Sequence, residues 1–452
     1  MSDWIEAERR IERAQQLLES HRLEEALGEL DAAIAINSNN AIWHAQRGSI
    51  LEEIDRLEEA AEAYQRALDL EPGDRHMLLA LGEVQLELGR YARAIRVFDQ
   101  VAKEYPDFEP AYCYRIRCYA EIGQHERAEE MFYLAQQIDD KCPNCFFALG
   151  ESLFSREQYD RALFCWNRVI ELEPTYLGAN EHMARAHRAK GDLPAAHEAL
   201  VREVRNDPGN TDLLFELAEV TLQTGQIANA AAKFAQIIEL DPEHAESHFA
   251  LGRIWSGLAR PDKAIACYEA VESIAKDSGL PPEFHRHYGE AMMRAKRFPE
   301  ARKHLEVAAQ QDPTDAGVAV LLGDCLFVDD QSTEAALWYR KAVERDARNP
   351  FAHHKLGLCL YRLSRFAAGL DSCLEAVRLK SDYVPAFRSA AIGCLRTSQW
   401  RKARQLLTQA CRQEPENAEL VQLRSRIWRY QVRYLLRRAL SVPAYLLGTR
   451  KA

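Results

Sequence analysis

Two cysteines of the segment Cys-Pro-Asn-Cys at 142–145 have the spacing that suits a tetrahedral metal or thiol redox chemistry. A structural zinc ion needs four ligands, and no second Cys-x-x-Cys follows. Cys113 and Cys118 lie on an earlier predicted helix and would reach the pair only if the packing is unusual. We interpret Cys142 and Cys145 as thiols in a turn, with redox sensitivity and a metal as alternatives, and we expect no metal and no cofactor.

Other patterns that would indicate catalysis are absent from the sequence. It holds no glycine-rich phosphate loop with lysine, no His-Glu-x-x-His and no Gly-x-Ser-x-Gly. Its 14 histidines are dispersed, and adjacent ones such as His353 and His354 point about 100° apart on a helix. We therefore predict that the chain is not an enzyme.

Composition indicates a globular chain of 452 residues with 47% hydrophobic and 28% charged residues. A net charge of −11 argues against binding to DNA. The 11 cysteines are odd in number and mostly lie in apolar runs, which favours reduced thiols. The start of the chain lacks the apolar core of a secretory signal, so we expect a soluble cytoplasmic protein.

The cysteines and histidines described above lie within an internal repeat of 34 residues. The register begins at 41, holds to 278, and resumes at 282 after an insertion at 279–281 to run to 417. A weaker copy fits at 7–40, which makes twelve copies.

Three positions of the repeat carry its pattern. The eighth position is small in every copy except at Ile116, and the twenty-fourth is bulky and mostly aromatic, as at Phe98 and Trp166. The twentieth position holds eleven alanines and one glycine: Ala26, Ala60, Ala94, Ala128, Ala162, Ala196, Ala230, Ala264, Ala301, Ala335, Gly369 and Ala403.

Each copy contains two apolar stripes at helical spacing, separated by a polar turn. In the second copy these predict helices at about 42–54 and 58–70. The small residues let the two helices approach, and the bulky residue fills the space between them. A positive φ is expected in the turn at Gly89, Gly123, Gly191 and Gly225.

This pattern resembles the tetratricopeptide repeat family over residues 7–417. The resemblance implies an all-α fold, a right-handed α-solenoid superhelix of about twelve 34-residue helix-turn-helix repeats with a C-terminal capping helix. First helices would line its concave face and second helices its convex face. We expect four segments: the N-terminal cap and copies one to eight at 1–278, an insertion at 279–281, copies nine to twelve at 282–417, and a basic helix and tail at 418–452.

Two segments within the repeats depart from the pattern. The insertion at 279–281 is either a local loop or a hinge between copies eight and nine. In copy six, Glu203 replaces an apolar residue and Asn180 replaces an apolar or aromatic one. These substitutions indicate either degenerate packing or an interruption that contacts a partner.

The C-terminal segment from 418 onwards is basic, with eight basic residues and one acidic residue, Glu419. Its net charge is +7, and the net charge of the rest of the chain is −18. A helix predicted at 418–440 is longer than a cap requires. We expect a cap with an oligomer contact, or docking on an anionic membrane surface, with RNA as a weaker alternative. The docking residues would be Arg429, Arg433, Arg437 and Arg438.

The resemblance also implies where a protein partner would bind, since contacts in this family come from exposed positions of each first helix. Those positions are acidic in copies one to five, mixed in copies six to nine and basic in copies eleven and twelve, with aromatic residues between. We predict an adaptor that binds an unidentified protein segment, with homo-oligomers possible. The alternative is that some of these rings pack between neighbouring first helices. The predicted contact residues are Tyr114, Phe147, Glu151, Phe154, Phe215, Glu219, Phe249, Arg253, Arg286, Tyr361, Arg388 and Arg396.

Overall fold

The structure, a computed structural model, describes residues 2–275, 279–281 and 283–440, with side chains from residue 4 to 427 and at 431 and 432 within those ranges. These residues form 25 α-helices and no strand, so the all-α prediction is confirmed. The first helices of the twelve copies are α1 (Ser2–Glu19), α3 (Ala41–Glu53), α5 (Arg75–Glu87), α7 (Glu109–Glu121), α9 (Pro143–Ser155), α11 (Ala179–Ala189), α13 (Thr211–Gln223), α15 (Ala245–Gly257), α17 (Phe284–Arg294), α19 (Ala316–Val328), α21 (Pro350–Arg362) and α23 (Val384–Arg396). The second helices are α2 (Leu23–Ile36), α4 (Leu57–Leu70), α6 (Tyr91–Glu104), α8 (His125–Ile138), α10 (Tyr159–Leu172), α12 (Leu193–Asn206), α14 (Ile227–Leu240), α16 (Pro261–Ile274), α18 (Phe298–Gln311), α20 (Ser332–Arg345), α22 (Phe366–Leu379) and α24 (Trp400–Gln413), and α25 (Ala418–Leu440) follows.

A left-handed residue follows each first helix at the fifteenth position of the copy. The φ angle there lies between 52° and 80° in all twelve copies. Four of these residues are the predicted glycines, and the others include Ala259 and Ser364. The turn therefore requires this conformation, although a residue with a Cβ loses roughly 1–2 kcal/mol by adopting it.

Close approach within each helical pair depends on the small residues of the repeat. A Cβ added to Gly82 would lie 2.4 Å from the Phe98 ring, and one added to Gly150 would lie 2.4 Å from Trp166. All eleven alanines of the twentieth position are fully buried. These distances and burial confirm the prediction that small residues at the eighth and twentieth positions leave room for the large residue at the twenty-fourth.

In copies one to six and eight to twelve the first helix packs against its own second helix, and most second helices pack against the next first helix. Copies four and five differ from this scheme. Their first helices, α7 and α9, contact each other far more extensively than other successive first helices of the described chain do.

The chain divides into two compact units, residues 1–233 and 234–452, with the division inside α14. The first unit has its core around Trp166, Leu200 and Tyr64. Large fully buried side chains of the second unit include Tyr268, Phe284 and Tyr339.

In copy six, as in copy nine, the first helix starts two residues later in the repeat than in the other copies after the first. Helix α11 begins at Ala179, after Gly178 with a φ of 85°. The Glu203 side chain is buried, and its Oε1 and Oε2 accept hydrogen bonds from the backbone N–H groups of Gly178 at 2.5 Å and Asn180 at 3.2 Å. Glu203 is therefore an internal cap of α11, which accounts for the glutamate at this position. Nothing in the structure explains Asn180, and the partner contact stays a prediction.

The predicted hinge lies next to residues 276–278 and 282, which are outside the described residues. Gly279 has a φ of 85°, and the following first helix begins at Phe284. Whether this insertion is a hinge stays a prediction.

Candidate functional site

A pocket of about 500 Å³ opens on the first helices of copies three to five, within the first unit. We call it the groove pocket. It is lined by Leu79 of α5, by several residues of α7 and α9, and by one residue before α11: Glu109, Pro110, Cys113, Tyr114, Arg117, Asn144, Phe147, Ala148, Glu151 and Tyr176.

Helical spacing explains why these residues share one surface. Glu109, Cys113 and Arg117 are four residues apart on α7. Asn144, Phe147, Ala148 and Glu151 follow the three- and four-residue steps of one face of α9. Two neighbouring helices therefore turn matching stripes toward the same space.

The aromatic walls of the pocket are held by their neighbours. Tyr114 stacks on Phe98 with 5.2 Å between ring centroids and 9° between planes. The Tyr176 hydroxyl donates a hydrogen bond to Asn144 Oδ1 at 2.8 Å, and the Phe147 ring lies 5.2 Å from the Tyr176 ring. These contacts preorganise an apolar surface for a ligand.

Charged groups at the pocket have opposite signs. Burial raises the pKa of Glu151, and the charges of Arg117 and Arg185 partly oppose that rise. Arg117 itself is exposed. His182 lies next to Phe147, with 4.9 Å between the two ring centroids. Burial lowers the pKa of His182 to about 4, so this imidazole is neutral near pH 7. The pocket suits a side chain or peptide segment with apolar and polar groups.

Glu109 and Cys113 also belong to a second arrangement, which we call the cysteine–glutamate cluster. Its members are Glu109, Cys113, Cys142 and Cys145, whose carboxylate oxygen and sulfur atoms all lie within 4.8 Å of one another. The Cys145 thiol donates a hydrogen bond to Glu109 Oε1 at 2.7 Å, and the Cys145 N–H donates to Cys142 Sγ at 3.4 Å. All three cysteines are buried.

Cys142 and Cys145 were interpreted as thiols in a turn, which Cys113 would reach only if the packing was unusual. That packing does occur. The close contact of α7 with α9 carries Cys113 to the pair. A hydrogen bond from the Cys113 thiol holds the pKa of Cys142 well below its usual value. A usable signal existed in the sequence: Glu109 and Cys113 share one face of α7, one copy before the Cys-x-x-Cys segment.

Of the predicted contact residues in the first unit, Tyr114, Phe147 and Glu151 meet at the groove pocket. Phe154 instead packs 5.9 Å from Trp166, with Arg185 5.5 Å above its ring. Phe215 and Glu219 are half-buried on α13. Partner binding by all six residues stays a prediction.

In the second unit, the predicted aromatic contact residues pack on neighbouring helices. Phe249 lies 5.8 Å from His287 of the next first helix, α17, which is the kind of contact that the packing alternative describes. Phe249 lies 6.0 Å from Tyr268, and Tyr361 lies 6.1 Å from Phe366.

The predicted basic contacts of this unit also have neighbours. Arg253 lies over Phe249 at 5.9 Å and Arg396 over Phe366 at 5.6 Å. Arg286 pairs with Asp315 at 3.1 Å and Arg388 with Glu419 at 2.5 Å. The pairing with Glu419 reduces the free positive charge at Arg388, in the copies that were predicted to be basic.

The predicted docking residues Arg429, Arg433, Arg437 and Arg438 lie on α25, but their side chains are outside the described residues. Over the part of the chain that is described, no helix has both the length and the apolar character for a membrane span. Docking through this helix stays a prediction.

Comparison with known families matches the chain to two models of the tetratricopeptide repeat. One covers residues 51–113 and 89–149, and the other covers 11–75, 147–211, 181–245, 215–279 and 257–316.

Individual similarities are distant. The chain is 24% identical over 264 residues to the protein CTR9 homolog of Arabidopsis thaliana, covering 48% of this chain and 24% of that protein. It is 23% identical to the TPR repeat-containing protein YpiA of Bacillus subtilis, covering 60% of this chain and 63% of that one. The chain thus spans about a quarter to somewhat under two thirds of these relatives. Among solved structures, the hetero-tetramer Cut9-Hcn1 of the APC/C is 15% identical with a TM-score of 0.44, covering 92% of this chain and 95% of that chain.

Proposed function

Because the chain belongs to the tetratricopeptide repeat family, we propose that it is a non-enzymatic adaptor that binds a protein segment along its first helices. The groove pocket is the observation that carries this proposal. It combines preorganised aromatic walls with two acidic residues, Glu109 and Glu151, and one basic residue, Arg117, on the first helices. Such a surface recognises a peptide by an apolar anchor with polar contacts around it.

The pocket also indicates what the bound segment contains. Tyr114, Phe147 and Tyr176 offer ring surfaces to an apolar side chain. Arg117 and Glu151 can orient the segment by pairing with an acidic and a basic residue on either side of that anchor. The charge pairing contributes more to orientation and association rate than to affinity.

A displayed library of random peptides, selected on the full-length protein, tests this proposal. The selected peptide is titrated against the wild type and Phe147→Ala by calorimetry, with circular dichroism as a check of folding. We expect the dissociation constant to rise at least tenfold, equivalent to about 1.4 kcal/mol for the loss of an anchor contact.

Phe164→Ala is the matched control, because Phe164 is 70% exposed on second helix α10. It should leave the dissociation constant within a factor of two. In Arg117→Glu, the affinity should depend differently on salt concentration. Equal affinity for folded Phe147→Ala and the wild type, or failure to select any peptide, would contradict the groove assignment.

A second candidate is docking on an anionic membrane surface through α25, and the charges near its start favour it. Glu419 pairs with Arg388, while Arg424 and Arg426 are exposed. Exposed arginines are attracted to anionic lipid headgroups. In this proposal α25 anchors the adaptor and the repeats still bind the protein partner.

A further inference from the structure

We propose that Glu109, Cys113, Cys142 and Cys145 form a zinc site that joins the first helices of copies four and five. The four candidate ligand atoms lie within 4.8 Å of one another. A tetrahedral zinc ion with Zn–S bonds of about 2.3 Å sets its sulfurs about 3.8 Å apart. Side-chain rotations that move each atom by less than about 1 Å would close the site around an ion.

Donor chemistry selects the metal. Three thiolates are soft ligands, which favour zinc and copper(I) over magnesium and calcium. The carboxylate of Glu109 supplies a fourth, harder donor and completes the coordination number that zinc prefers. With all four positions filled by protein, the site is of the structural kind.

The local backbone around Cys142 supports a ligand role. Cys142 occupies the N-cap of α9, where α3, α5, α13, α19 and α21 have Asn40, Asp74, Asn210, Asp315 and Asn349. Sulfur is a weaker acceptor than these oxygens, so capping alone does not explain a cysteine there. The Cys145 N–H that points at Cys142 Sγ, together with the positive end of the helix dipole, would stabilise a metal-bound thiolate.

The packing of the helices provides independent support. The unusually close contact of α7 with α9 is the feature that brings ligands from two copies together. Zinc would hold these helices at that distance and fix the side of the groove pocket that Glu109 and Cys113 line. The inference does not rest on the proposed peptide binding, because a structural site is independent of what the pocket binds.

Metal analysis of the full-length protein, purified under reducing conditions, is the first test. We expect one zinc per chain. After removal of the zinc by a chelator, Co²⁺ titrated under anaerobic conditions should bind at one equivalent. It should give the intense visible absorption of tetrahedral cobalt and the near-ultraviolet charge-transfer band of cobalt thiolates. Zn²⁺ should then abolish both signals.

Variants assign the ligands. Cys113→Ser and Cys142→Ser should each weaken Co²⁺ binding at least a hundredfold, and Glu109→Gln at least tenfold. Cys118→Ser is the matched control, since Cys118 is fully buried on the same helix α7 but lies outside the cluster. It should keep the cobalt spectrum and the stoichiometry.

Several results would overturn the zinc site. One is a folded wild-type protein that contains no zinc and shows no thiolate-to-cobalt band. Another is Co²⁺ binding that Cys113→Ser leaves unchanged. A third is a Cys142–Cys145 disulfide that forms during purification without reductant in place of a bound metal, which would assign the pair to redox chemistry.

Discussion

Replacing Glu203 with alanine removes the buried cap of α11. Its carboxylate accepts hydrogen bonds from the backbone N–H groups of Gly178 and Asn180, at 2.5 Å and 3.2 Å. The side chain is 1% exposed, so water would not readily replace it. Both N–H groups would then be left without an acceptor at a helix start.

The size of the effect follows from these two bonds. A hydrogen bond to a charged group contributes about 1.5–3 kcal/mol, and partial entry of water recovers some of the loss. We expect Glu203→Ala to destabilise α11 by about 3 kcal/mol. Glu203→Gln keeps one acceptor oxygen and should cost about half as much. Glu198→Ala, which removes a side chain that is 69% exposed on the same helix α12, should cost less than about 0.5 kcal/mol.

Amide hydrogen exchange is the appropriate assay, because a repeat protein unfolds in parts and a global transition would average them. Exchange over Ala179–Ala189 should accelerate about a hundredfold or more in Glu203→Ala. The change should extend to Tyr176, because it lies two residues before Gly178 and its ring is 5.2 Å from Phe147 at the pocket. If exchange in α11 is the same in Glu203→Ala and Glu198→Ala, the capping role is wrong.

Four further outcomes follow from the structure. Gly82→Ala would place its Cβ 2.4 Å from Phe98 and should lower the unfolding free energy by about 1–3 kcal/mol in a urea titration. Gly28→Ala, whose Cβ would meet nothing within 4 Å, should raise the unfolding free energy slightly in the same titration. Ala259→Gly should stabilise its copy by about 1 kcal/mol, since Ala259 has a φ of 54°; an unchanged urea midpoint would contradict this. Burial lowers the pKa of His354 to about 4 from 6.5, so its contribution to stability is complete above pH 6.5 and is lost as the pH falls toward 4. Unfolding of His354→Gln should therefore depend less on pH in that window, by up to about 3 kcal/mol. Wild-type protein should float with anionic vesicles, and a variant with glutamine at Arg429, Arg433, Arg437 and Arg438 should not; equal flotation would exclude docking by these residues.

Helical structure could be read from the repeat with small errors. The predicted helices at 42–54 and 58–70 correspond to α3 (Ala41–Glu53) and α4 (Leu57–Leu70), and the helix predicted at 418–440 is α25 (Ala418–Leu440). The period, the small residues and the large residue of each copy all act within one helical pair. Because such contacts are local, a regular pattern in the sequence specifies them.

Contacts that depart from the repeat pattern followed different rules, both within copy six and between copies. The position of Glu203 in the sequence showed only that an apolar residue was missing, and the late start of α11 gave the carboxylate its partners. Aromatic residues such as Phe147 and Phe249 occupy equivalent positions, but one lines an open pocket and the other lies among neighbouring rings. The angle and distance between successive helices decide such differences.

The amino-acid sequence by itself determined the number of copies, the helices and their turns, because each depends on residues close along the chain. Only the tertiary structure decided which side chains of different copies meet. Cys113 lies 32 residues before Cys145, and it reaches that thiol because α7 packs directly on α9. A repeat pattern averages over copies, whereas a site made by two copies depends on how one pair of helices departs from that average.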